Sequence, residues 1–97
     1  METLEEFKKR NPEGWKRVGP GSKVRAVLYV CENKKMSRGE IKRELGSEIN
    51  EDELTKSLDF YCKTGEIEFI ETAKGRKYYL EEASRIAFRE LYDWRKS

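Results

Sequence analysis

The chain has 97 residues, 41% of them charged and 36% hydrophobic, and its 21 Lys and Arg against 19 Asp and Glu give a net charge of +2. That length allows one domain with a modest core and excludes a deep, enclosed active site. The charges nearly cancel and the apolar residues cluster periodically, which argues for a folded chain whose slight basicity permits nucleic-acid binding without demanding it.

Lys, Glu and Arg are abundant, Gln is absent and Asn is scarce, a bias shared with hyperthermophile proteins. No apolar run approaches the roughly 20 residues of a membrane span. The polar, acidic opening METLEEFKKR has no signal-peptide character, which points to a cytoplasmic protein. Cys31 and Cys62 stand far apart in a chain without histidine. Zinc sites take about four ligands, so no metal or cofactor is expected. Both thiols are expected in the core, with a disulfide as the alternative. Without histidine, a glycine-rich phosphate loop or a carboxylate pair in an apolar setting, the chain is not expected to be an enzyme.

In chain order, Thr3 and Glu6 form a capping box for a short helix ending near Asn11-Pro12, with Leu4, Phe7 and Trp15 as apolar anchors. The Pro and Gly of VGPGS (18–22) read as a linker. Ser22 then caps a helix to about Asn33. Val24, Val27, Leu28 and Cys31 make one stripe on it, and Ala26 and Val30 lie opposite, as on a helix covered on two faces. Ser37 and Glu40 form a second capping box, for a helix carrying Ile41 and Leu45 and stopping at Gly46. Asn50 and Glu53 open a third helix, with Leu54, Leu58, Tyr61 and Cys62 along one face and Gly65 at its end. A hairpin follows, with strands over 66–71 and 76–80 and a turn through Lys74 and Gly75. The chain closes with a helix from about Glu82.

The order and spacing of SRGEIKRELG, NEDELTKSLDFYCKTGEIEF and GRKYYLEEASRIAFREL resemble the winged helix-turn-helix superfamily over about residues 22–84. The resemblance implies an α+β, mainly helical fold: a winged helix-turn-helix domain over 22–80, made of a three-helix core plus a β-hairpin wing. An N-terminal arm with a short helix (1–21) precedes it, and a C-terminal dimerisation helix (81–97) follows. It also implies sequence-specific or general binding of double-stranded DNA, most simply by a small dimeric transcriptional regulator. In such domains the recognition helix enters the major groove and the wing grips the neighbouring backbone or minor groove. Carried onto this sequence, the DNA-facing candidates are Lys35, Ser37, Arg38, Asp52, Thr55, Lys56, Lys63, Lys74, Arg76 and Lys77.

One feature departs from that pattern. The recognition helix opens with Glu51-Asp52-Glu53, which suits the helix dipole but repels phosphate. Residues 50–64 carry two Lys against four acids, whereas 22–49 carry seven Lys or Arg against four Glu. The acidic helix favours an alternative, a winged helix used for protein–protein contact without DNA.

On the last helix Leu80, Ala83, Ala87, Leu91 and Trp94 form a stripe, widened by Ile86, Phe88 and Tyr92 to roughly 240°, where one packing surface needs about 100°. The excess predicts a homodimer with Phe88, Leu91 and Tyr92 at its interface. Burial under the N-terminal arm is the alternative. Nothing in the sequence names a small-molecule effector.

Overall fold

The computed structural model describes residues 2–32 and 34–94, the last three by backbone alone, so the side chains of Tyr92 and Trp94 lie outside the described residues. The elements run α1 (Leu4–Arg10), α2 (Pro12–Arg17), α3 (Pro20–Val30), β1 (Met36–Ser37), α4 (Arg38–Leu45), α5 (Glu51–Thr64), β2 (Glu68–Thr72), β3 (Gly75–Tyr79) and α6 (Glu82–Trp94). A 3-10 turn over Gly46–Glu48 joins α4 to α5. The strands form one antiparallel sheet in the order β1-β3-β2.

Three helices start where a side chain can satisfy their orphan N–H groups. Thr3, Ser37 and Asn50 each accept from the backbone N–H three residues on, at 3.1, 3.2 and 2.8 Å. Glu6, Glu40 and Glu53 each accept in return from the cap's own N–H, at 3.0, 2.9 and 3.0 Å. Gly65 ends α5 in the left-handed region at φ 85°, where a Cβ would be strained.

Elsewhere the chain departs from expectation. Helix α3 starts at Pro20, so VGPGS is not a linker. Proline fits the first helical position because its missing N–H would lack a helical partner anyway. Ser22 therefore lies inside the first turn instead of capping it. Pro12, expected to mark the end of one helix, also opens another: Asn11 caps α2, accepting from Gly14 N–H at 3.0 Å. The third strand, β1, pairs Met36 with Tyr78 and Ser37 with Lys77. Strand β2 begins two residues later than expected, at Glu68.

Helix α3 lies at the centre, packed against α1, α4, α5, α6 and β3. Val24, Ala26 and Val27 are fully buried and Val30 nearly so, which is the two-sided covering its pattern predicts. The arm closes one side. Leu4, Phe7, Trp15 and Val18 all belong to the core. Phe7 stacks on Phe88 at 6.1 Å between ring centroids and meets Tyr29 at 5.8 Å. Phe88, at 4% exposure, is thus core within its own chain. This corrects the expectation that it contacts a symmetry mate: the Phe88 ring is covered by the arm.

Polar contacts pin the same elements. Arg85 of α6 donates to the Tyr29 carbonyl at 2.9 Å and lies over the Tyr29 ring. Glu48, in the α4–α5 turn, accepts from Trp15 Nε1–H at 2.7 Å and from Lys8 Nζ at 2.5 Å. Burial works against that carboxylate, but the Lys8 and Trp15 donors hold its pKa below the usual range. Cys31 and Cys62 are free thiols, partly buried against the core rather than within it. Burial raises the pKa of both.

If the arm completes the core, Phe7→Ala should cost about 3–5 kcal/mol, as truncation of a buried aromatic does. Urea unfolding measures this. An unchanged midpoint would mean that the arm is dispensable.

Candidate nucleic-acid interface

Gly46, at φ 56°, turns the chain out of α4, and Ile49, 2% exposed, anchors the connection into α5. The inward face of α5 carries Leu54, Ser57 and Leu58, all buried. Tyr61 and Cys62, expected on this face, are only partly buried beside it. The opposite face leaves Asp52, Thr55, Lys56, Asp59 and Lys63 exposed. Asp52 and Lys56 pair across one helical turn at 2.9 Å. Phe60 stands out at 58% exposure on the flank, beside Pro20 and Gly21 in an open groove.

The start of α4 is tied to the start of α5. Arg38 Nη2 donates to the Glu51 carbonyl at 3.0 Å and to its carboxylate at 3.1 Å. One of the expected phosphate ligands therefore serves first as a brace between the two helices. Ser37 is engaged too, its hydroxyl accepting from Glu40 N–H as the cap of α4.

The wing is a two-residue hairpin, with Ala73 and Lys74 between the paired residues Thr72 and Gly75. Gly75 adopts φ 109°, as the tight turn requires. The Thr72 hydroxyl donates to the Gly75 carbonyl at 2.6 Å and accepts from Lys74 N–H at 3.2 Å. This clasp holds the tip and was not foreseen from sequence, although Thr before such a turn is a recognisable signal.

The three wing cations occupy different places. Lys74 is exposed at the tip and has no carboxylate partner among the described residues. Arg76 lies over the Phe69 ring at 4.0 Å and bonds Glu71 at 3.0 Å. Its charge also reaches Cys62 on α5 and partly offsets the rise that burial imposes on that thiol. Lys77, on the other face of the sheet, bonds Glu40 at 3.3 Å.

Glu40, absent from the expected site, is the electrostatic hub of this region. It accepts from the Ser37 N–H, from Lys77 and from Lys34, the last at 3.4 Å. The Ser37 N–H first, and Lys77 after it, hold its pKa at about 2 against an ordinary 4.5. Lys35 lies over the Tyr79 ring at 4.9 Å. The structure thus brings Ser37 and Lys77 together at Glu40 and sets Lys35 on the Tyr79 ring. It sets Asp52, Lys56 and Lys63 in one row on α5 with Thr55 beside it, and isolates Lys74 at the tip.

A helix-turn-helix followed by a hairpin, with a short third strand closing the sheet, is a specific arrangement. The fold is a winged helix. No protein-family model matches the sequence, and no curated protein matches it significantly. Among solved structures the chain is similar to SSV1 F-93, with a TM-score of 0.63, 14% identity, and coverage of 78% of this chain and 84% of that one. At that identity the likeness speaks to the winged-helix fold alone. No helix among the described residues is long and apolar enough to cross a membrane.

The depressed Glu40 pKa has a testable sign. A carboxylate whose folded pKa lies below its unfolded value contributes stability above about pH 4.5 and loses it as pH falls toward about 2. Glu40→Gln keeps an acceptor for the capping box but removes the charge. The variant should melt below wild type at pH 7, and the gap should narrow below about pH 4.5 and close only near pH 2. A constant gap across that range would show that the charge contributes nothing.

Proposed function

We propose that this winged helix binds duplex DNA as a small dimeric transcriptional regulator of the cytoplasm, without catalytic activity. The observation that carries this reading is the α4–turn–α5 unit, which buries one side of α5 and turns the whole opposite side to solvent beside a wing tipped by Lys74, a cation with no carboxylate partner among the described residues. Phosphate neutralisation gives most sequence-independent affinity, and here it rests on cations around α5. Lys34 and Lys35 precede α4, Lys42 and Arg43 lie in its last turn, and Lys74 is at the wing tip.

A second reading, a protein-interaction module, is favoured by the exposed Phe60 and the acidic first turn of α5. Salt titration of binding to random duplex DNA separates the two. A DNA-binding protein loses affinity linearly in log salt, with a slope set by the phosphates it neutralises. Replacing Lys74, Arg76 and Lys77 together by Ala should flatten that slope, by up to about 0.9 per lost contact. Lys74→Ala alone should account for the largest share, because Arg76 and Lys77 already have carboxylate partners. Unchanged affinity and slope in the triple variant would remove the wing from the interface. The protein-interaction reading would then lead.

Dimerisation belongs to the same proposal, on a different face of α6. With Phe88 internal, the outward arc of α6 consists of Ala83, Ile86, Ala87 and Leu91, with Ile86 39% and Leu91 37% exposed. Ala83, Ala87 and Leu91 also border a cleft of about 370 Å3 against Arg25 and Glu66. A second copy of α6 lying along this arc would cover it two-fold symmetrically. Sedimentation should show wild type as a dimer and Leu91→Asp as a monomer. A wild type that stays monomeric at high micromolar concentration overturns the dimer.

A further inference from the structure

Building on the DNA-binding reading above, we propose that the outward row of α5 selects G·C over A·T pairs, with Lys56 and Lys63 addressing guanine and Asp52 and Asp59 addressing cytosine. The spacing i, i+4, i+7 and i+11 places Asp52, Lys56, Asp59 and Lys63 on one face of the helix, all exposed. Lys56 and Asp52 are 77% and 73% exposed and stand 2.9 Å apart, so a donor and an acceptor are presented side by side.

In the major groove guanine offers two acceptors, N7 and O6, and its cytosine partner offers the N4 amino donor beside them. An ammonium facing N7 and O6 with a carboxylate facing N4 matches both halves of that edge. An A·T edge interposes the adenine N6 donor between its acceptors, and the side chains that read it best are Asn and Gln. The row has neither. The chain contains no Gln, and Asn50 at the start of α5 is engaged as its cap, accepting from Glu53 N–H at 2.8 Å. Phe60, an apolar group that can meet a thymine methyl, is turned to the flank beside Pro20 and Gly21.

Electrostatics sharpens the selection. The row carries two cations and two anions, so it adds almost no general attraction to phosphate. Docking must separate the exposed Asp52–Lys56 pair, which is weakly held and easily exchanged. Against a mismatched edge the two carboxylates are left facing acceptors or phosphate, which is repulsive. Tight seating of α5 is therefore conditional on matched bases, while the surrounding cations bind any sequence.

The test uses the full chain and three duplexes of equal length at one salt concentration, read by fluorescence anisotropy. One duplex is built of G·C pairs, one of A·T pairs and one of inosine·cytosine pairs. Inosine keeps the guanine major-groove edge but lacks the minor-groove amino group, so it separates base readout from duplex shape. The G·C and inosine·cytosine duplexes should bind alike, each about tenfold or more tighter than A·T, the scale of one good base contact. Asp52→Asn with Lys56→Gln supplies carboxamides suited to adenine, and should abolish or reverse the preference while circular dichroism shows the helix intact. Equal wild-type affinity for G·C and A·T overturns this inference and leaves DNA binding standing, as does inosine·cytosine behaving like A·T. A preference unchanged in the double variant also overturns it. Failure to bind any of the three overturns the DNA-binding reading itself.

Discussion

The structure depends on the burial of α3. A helix with Val24, Ala26, Val27 and Leu28 all at or below 2% exposure has no face to give to water, so every neighbouring element is recruited to cover it. A three-helix core with a hairpin covers only part of that circumference. The remainder is supplied by the arm and α6, through the rings of Phe7, Tyr29 and Phe88. Arg25, the cation in the middle of α3, is accommodated by the same logic. Its guanidinium lies 4.5 Å from the Tyr61 ring and 5.3 Å from the Phe88 ring and pairs with Glu66, so it has partners on every side of a site where its side chain is only 11% exposed. With α3 enclosed, α5 has a single face to bury and the other is left to solvent.

The arm does more than add area. Through Trp15 and Lys8 it grips Glu48 in the α4–α5 turn, and through Phe7 it grips α6. The turn that sets the angle between α4 and α5 is thus fixed from outside the helix-turn-helix itself. Glu40 plays the matching part on the opposite side, binding the wing through Lys77 and closing the cap of α4. Two carboxylates, each meeting several donors, determine where the recognition helix and the wing point relative to the core.

How far the sequence revealed this follows from how local each signal is. The three capping boxes, Gly65 and the hairpin around Gly75 are interactions within about three residues, so their residues announce them. Strand β1 is two residues long, and its pairing with Tyr78 and Lys77 depends on chain 40 or more positions away. Helix α2 has six residues with Gly14 inside, too little periodicity to register, and Pro20 looks alike as a linker residue or as the first residue of a helix. The assignment of Phe88 failed for a related reason. An apolar arc states that a residue is covered, and only the tertiary fold says whether by this chain or another. On the candidate site, the element that carries each residue was legible and its engagement was not. Lys77, Arg76 and Arg38 occupy the expected elements, but each is already bonded to a glutamate whose proximity only folding creates.

That internal pairing explains how a protein of net charge +2 can be built around so many cations. Each glutamate that orients a Lys or Arg also lowers its attraction for phosphate, so the price of a well-placed cation is a weaker one. Cations without a carboxylate partner then set the long-range pull, and in the wing, among the described residues, that cation is Lys74. On α5 the balance is carried to its limit, with acids and bases alternating along the exposed row. If α5 meets DNA as proposed, a row of two acids and two bases gains nothing from being near DNA as such; it gains only from base edges that complement its donors and acceptors. On the proposed reading, affinity and selectivity fall to different residues of one small domain: attraction to the scattered cations of the wing and α4, and discrimination to a row that general attraction does not hold in place.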